Sequence, residues 1–245
     1  MKACFFYTIL LLTSINIFAQ RNVLEKIIRE QGEQFGDWAQ DPDAYEVQVL
    51  YTQIDRDAEG RPSFTTYRFG ADPNRYFYPA STVKMPTAFL ALEKLNELGV
   101  AGLDKYAVMH NYAGTAPQTA ALVDTSSASG SASVANYVEK IFLVSDNDAH
   151  NRLYEFLGQA ELNKRLQAKS FNNSRVIHRL SVSGFDTLGN RWLNPISFGS
   201  PDSTVLSLPE RYDFFYDSLA VRNQVRGYGY LDSEQDSIVY VPFDF

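Results

Sequence analysis

Cysteine is almost missing from this 245-residue chain, and the one present, Cys4, stands four residues from the start. Neither a disulfide framework nor a thiolate metal centre can be built from it. Histidine is scarce too: His110, His150 and His178 are far apart, with no H-x-x-x-H pair. Each reads as a surface or hydrogen-bonded histidine, and no metal or other cofactor is expected. Basic residues are outnumbered, 22 Lys and Arg against 29 Asp and Glu, with a net charge of -7 and no Lys/Arg cluster. That balance argues against nucleic acid as a partner. No lysine follows Lys169. What remains, 45% hydrophobic and 21% charged residues, is ordinary globular composition, enough for one sizeable core or two lobes.

The chain begins Met1-Lys2, runs through the apolar residues around Phe5 to Leu12, and reaches Phe18-Ala19-Gln20. A charged start, a short apolar run and a small residue at its end describe a secretory signal. Cleavage is expected after Ala19, leaving residues 20–245 as the mature domain, exported to the periplasm or the medium. The run is too short and too polar to span a bilayer, so no membrane span is expected in the mature form. Cys4 would leave with the signal.

Periodicity then outlines the body. Residues 22–38 read as one amphipathic helix, and residues 45–51 and 63–69 as the strands of a hairpin around Gly60. From Ser81 the chain turns helical and apolar on nearly all sides, which predicts a central buried helix closed by Gly99. Pro86 restricts that helix to begin close to Ser81. Residues 113–130, rich in Ala, Ser, Thr and Gly, read as loop. Ser133 caps a helix over 133–142, another runs to Leu157 before Gly158, and a short one covers 161–169. The fold class expected is α+β: a helical lobe, a mainly antiparallel sheet with flanking helices, and the site between the lobes.

Two motifs carry chemistry. The first is Ser81-Thr82-Val83-Lys84, an S-x-x-K. Residues i and i+3 share a helix face, so the hydroxyl and the amine can meet. A serine hydroxyl needs a base to become a nucleophile, and a lysine serves if its pKa is lowered. About one S-x-x-K is expected by chance in a chain this long. The second motif, Ser145-Asp146-Asn147, lies between two helices; alone it reads as a polar turn with Asp148 as a cap. A second hydroxyl is chemically apt there. Lys84 cannot both take the Ser81 proton and deliver it to a distant nitrogen without a relay.

S-x-x-K followed by S-D-N resembles the penicillin-recognising serine hydrolases, and most closely the class A β-lactamase-like proteins. The resemblance covers roughly residues 22–169 and implies specific roles. Ser81 would be the acylated nucleophile, with its backbone N–H as half of an oxyanion hole. Lys84 would hold Ser81 by hydrogen bonding and act as, or assist, the base, with Ser145 as the proton shuttle. Asn147 would bind the substrate amide, and Asp146 would pin the turn. The substrate would be a small β-lactam or acyl-peptide, and the protein a monomer.

Two departures stand against that pattern. The family's third motif, K-T-G near the C-terminus, has no equivalent; Arg226-Gly227 is a poor candidate, and the apolar ending at Phe245 reads as an interruption. The family's deacylating glutamate, in an E-x-x-L-N loop, is replaced in the nearest string by Asn190, ahead of Leu193 and Asn194. An amide is no general base at neutral pH; Glu161 and Asp186 are other carboxylates in the region. An equal reading is that residues 190–195 form an ordinary loop packed under Trp192. The sequence thus points first to an exported hydrolase that opens β-lactams through an acyl-Ser81 intermediate. A peptidase or esterase of the same superfamily with slow deacylation is the second reading, and a non-catalytic, incomplete homologue the third.

Overall fold

The computed structural model describes residues 22–72, 77, 79–186, 188–200, 202–213, 229–232 and 237–240. The signal, residues 1–19, and the Arg226-Gly227 pair lie outside them. The chain divides into two compact units, residues 1–75 and 76–245.

In the first unit, Asn22 starts α1 (Val23–Glu30) by accepting from Leu24 N and Glu25 N through Oδ1, while its Nδ2 donates to Arg68 O at 2.6 Å. The single helix expected over 22–38 breaks at Gln31. Two one-turn pieces follow, α2 (Gly32–Phe35) and α3 (Asp37–Gln40), separated by Gly36 at φ +79°. Glycine weakens a helix interior and readily takes positive φ, so the apolar periodicity loses to the backbone here. The hairpin forms, but its first strand starts later than predicted. Residues 41–46 are held in turns by Asp41 Oδ1, which accepts from Ala44 N, and by Val47 N bonding Pro42 O. Then β1 (Val49–Arg56) pairs antiparallel with β2 (Pro62–Phe69), with Tyr51 opposite Tyr67 and Ile54 opposite Phe64. Asp57 Oδ1 closes the turn by accepting from Glu59 N and Arg61 N.

The second unit is built on helices. A 3-10 turn (Ala80–Val83) runs straight into α4 (Lys84–Leu98). Pro86 is the third residue of the α-helix, where its missing N–H removes no helical bond. Gly99, at φ +60°, ends the helix in the left-handed region. Ser133 Oγ caps α5 (Val134–Val144) by accepting from Asn136 N. Asp146 caps α6 (Asn147–Leu157), and α7 (Gln159–Ala168) follows Gly158.

The central helix is α6, not α4 as the sequence suggested. Every residue of α6 from Ala149 to Leu157 is buried, with α4, α5 and α7 packed around it. Met85 and Phe89 on α4 remain half exposed, at 51% and 54%. The reversal is physical: α6 hides Arg152, Glu155 and His150, polar residues that a hydrophobicity pattern assigns to water. Below the helices, β3 (Met109–Asn111), β5 (Ile196–Ser200) and β6 (Ser203–Leu208) form an antiparallel sheet; Met109 pairs with Phe198, and Phe198 meets Phe156 edge-on at 5.3 Å. Gly199, at φ +109°, sits at the register shift between β5 and β6, where a Cβ would collide with Ser203 O. Two short antiparallel pairs complete the strands: β4 (Trp192–Leu193) with β7 (Arg211–Tyr212), and β8 (Gly229–Asp232) with β9 (Ser237–Tyr240). The class is α+β, with antiparallel sheets. Among the described residues no helix is long and apolar enough to cross a membrane.

Candidate active site

Ser81 sits in the 3-10 turn, one residue after Ala80, whose φ of +47° is unusual for a non-glycine. Thr82 fixes that turn, donating from both its backbone N and its Oγ1 to Pro79 O. Lys84, one turn on, is 2% exposed along its length, while Ser81 and Ser145 face solvent. The Lys84 Nζ lies at the floor between them. It donates to Ser81 Oγ at 3.1 Å, to Ser145 Oγ at 3.0 Å and to Ser145 O at 2.5 Å. The structure thus brings the two sequence motifs, 61 residues apart, onto one amine.

Ser145 reaches that position through its backbone. It is the residue after α5, at φ +56° and ψ +43°, and its N–H bonds back to Ile141 O and Lys140 O. Left-handed geometry disfavours a residue with a Cβ by roughly 1–2 kcal/mol. Here it turns the Ser145 hydroxyl and carbonyl together toward Lys84. Asp146 then starts α6, its Oδ1 accepting from Ala149 N at 2.8 Å; the helix cap is Asp146 and not Asp148. Asn147, the first residue of α6, is half-buried, and among the described residues its side-chain amide has no hydrogen-bond partner.

Loss of hydration is the main force on Lys84 and lowers its pKa below the ordinary lysine value; the Asp146 charge works against it. A lowered pKa supplies more of the neutral amine, the form that can take a proton from Ser81. The Nζ donates all three bonds as an ammonium, and once neutral it can accept from the Ser81 hydroxyl.

The other residues singled out in the sequence have structural partners. Asn190 is buried: its Oδ1 accepts from Arg179 N, its Nδ2 donates to Asp186 O, and its carbonyl accepts from Tyr154 Oη. It is fixed in a 3-10 turn (Gly189–Arg191) that leads into the strand Trp192–Leu193, so residues 190–195 are not a plain loop. Asp186 Oδ1 accepts from Gly189 N, and Glu161 is paired with Lys94 and Arg165. His110 packs near Tyr112, and the His178 Nδ1 lies 2.7 Å from Arg179 O. His150 corrects the expectation for histidines. It is wholly buried, and among the described residues neither ring nitrogen has a partner. Among the described residues no cluster of His, Cys, Asp or Glu could hold a metal.

Several residues that support the site gave no signal in the sequence. Glu155, 2% exposed, bonds Arg152, Arg179 and Asn111, and Arg179 reaches on to Trp192 O and Asn194. Asn151 exchanges two bonds with the Leu180 backbone. Through these, α6 grips residues 179–194. Arg152 and Glu155 have the i, i+3 spacing of a helical ion pair, but spacing does not reveal that the pair is buried.

A family model described as the beta-lactamase enzyme family matches residues 26–202. A search of curated proteins found no match, and neither did a search of solved structures. The matched span contains Ser81, Lys84 and Ser145, the three residues joined at one amine, and covers most of the chain: this protein belongs to the beta-lactamase enzyme family.

Proposed function

We propose that this hydrolase is exported and opens β-lactam rings through an acyl-enzyme on Ser81. The observation that carries the reading is the position of the Lys84 Nζ, within hydrogen-bonding distance of both Ser81 Oγ and Ser145 Oγ. Neutral Lys84 takes the Ser81 proton as Oγ attacks the lactam carbonyl carbon. The new C–O bond forms, and negative charge gathers on the carbonyl oxygen, toward which the Ser81 backbone N–H is one donor. Collapse breaks the C–N bond. The nitrogen receives its proton from Ser145, which is resupplied from Lys84. Water then cleaves the ester and frees Ser81. Asn147, with its amide unengaged, binds the amide of the substrate side chain, and Asp146 holds the turn.

The test is a fluorescent penicillin followed by peptide mass spectrometry. The adduct is expected on the peptide containing Ser81 and is lost in Ser81→Ala. Equal labelling of Ser81→Ala would overturn the assignment. A second reading, a peptidase or esterase of this superfamily with slow deacylation, is favoured by Asn190, whose amide is committed to its turn and offers no base. The decay of the label decides between them: loss within seconds supports a β-lactamase, persistence for hours an acyl-trapping enzyme. Export rests on the charged-then-apolar start. N-terminal sequencing of material from a bacterial host should begin near Gln20, and an intact Met1 on cytosolic protein would refute it.

A further inference from the structure

The S-D-N turn places a carboxylate beside the amine that must lose its proton. Asp146 is needed at that place, because its Oδ1 caps α6 and so fixes where Ser145 ends and Asn147 begins. Its charge nevertheless favours the protonated form of Lys84. Against the same turn stands Lys140, on the last turns of α5, five residues before Ser145. Its Nζ lies 2.9 Å from Asp124 Oδ2 and 3.6 Å from Asp146 Oδ2, and its backbone carbonyl accepts from Asp146 N. Asp124 is itself anchored, its Oδ1 accepting from both Ser126 N and Ser126 Oγ. The loop, α5 and the S-D-N turn are thereby joined in the order Asp124, Lys140, Asp146.

We propose that Lys140 is a positioning residue for the Ser81 chemistry, which steadies Asp146 and offsets its negative charge through the ion pair between them. This rests on the reading of Lys84 as the base. Burial works against the charge on Lys140, but Asp124 first, then Asp146 and Asp148, outweigh it, so Lys140 stays cationic. The charged or titratable groups around Lys84 are Asp146 at the cap of α6 and His150 within α6; beyond Asp146 come Lys140 on α5, Asp124 on the loop and Asp148. His150 is buried and neutral, so the charge that faces Lys84 most directly is Asp146. Removing Lys140 leaves two carboxylates unbalanced. Asp146, whose charge favours protonated Lys84, then acts on it without the offset.

The experiment titrates Lys84 directly in the intact chain labelled with 13C,15N-lysine, its signal assigned through Lys84→Arg. Lys140→Met should raise the Lys84 midpoint by about half a pH unit or more. Lys140→Arg should leave it near wild type, and Asp146→Asn, which keeps a capping side chain, should lower it. In the Asp146→Asn background, Lys140→Met should lose at least half of its effect. An unchanged or lowered midpoint in folded Lys140→Met overturns the proposal, and so does an undiminished effect in the double variant. If Lys140→Met does not fold, Lys140→Gln is read in the same way. The acid limb of penicillin acylation should move with the midpoint. Midpoints that move as stated, with no labelling of Ser81 at any pH, would sustain the role of Lys140 and refute the acylation reading.

Discussion

His150 should make the fold acid-sensitive. Its imidazole is fully buried on α6, and among the described residues no partner reaches either nitrogen. Burial first, then the charges of Lys84 and His178, push its pKa from 6.5 down to about 3. The folded protein therefore keeps His150 neutral, while the unfolded chain binds a proton below its ordinary value of about 6.5. The unfolded state then holds more protons, so stability falls as pH falls. The contribution is complete above pH 6.5 and declines from there until about pH 3, at roughly 1.4 kcal/mol per pH unit. Between pH 7.5 and pH 5.0 it amounts to about 2 kcal/mol, or about 4–8 °C in melting temperature for a chain of this size. His150→Leu and His150→Gln both remove the titration, one with an apolar and one with a polar side chain. Urea unfolding of all three proteins at the two pH values isolates it, since every other titrating group is shared. Both variants should lose about 2 kcal/mol less than wild type on acidification. If they lose as much as wild type, His150 is reached by water or by a partner and the reasoning fails.

Other outcomes follow from the same geometry. If Lys84 is the base of the proposed acylation, Lys84→Ala should slow penicillin acylation by about 10²–10⁴-fold at pH 7, measured by stopped-flow labelling, while Ser81 stays in place. Ser145→Gly and Ser145→Ala should both slow acylation, but the glycine variant should melt higher than the alanine variant by the equivalent of about 1 kcal/mol, since glycine accepts the left-handed backbone. Glu155→Ala strands Arg152 and Arg179 in the interior and should destabilise by about 3–5 kcal/mol in urea, where a loss below about 1 kcal/mol would show that the two arginines find water.

The parts of this protein legible in its sequence are those fixed by short-range chemistry. Ser133 and Gly99 act at the ends of their helices as their residue types dictate, and the i, i+3 spacing of Ser81 and Lys84 brings oxygen and amine together as predicted. Misreadings arise where tertiary burial reverses a local preference. Polar His150, Arg152 and Glu155 disguised α6, and apolar Met85 and Phe89 overstated the burial of α4. Asp146 was anticipated as the pin of its turn, but Lys140 was invisible. Nothing in V-E-K-I-F-L-V distinguishes a solvated lysine from one held between Asp124 and Asp146. The pairing depends on a loop sixteen residues earlier in the chain.

The two hydroxyls at Lys84 share a further property. Ser145 itself and Ala80, the neighbour of Ser81, hold positive φ without being glycine, so each serine is presented by backbone that would relax elsewhere if released. Such geometry persists only where its surroundings over-determine it. For Ser145 these are the backbone bonds to Ile141 and Lys140, the cap made by Asp146, and the buried α6 that the cap begins. For Ser81 they are the Thr82 bonds to Pro79 and the start of α4 against α6. Both sets of restraints converge on α6, whose buried Glu155 and Asn151 also hold the segment carrying Asn190. A change that loosens α6 without touching either serine should therefore weaken acylation before it unfolds the protein, since the strained turns are the first to gain from its release.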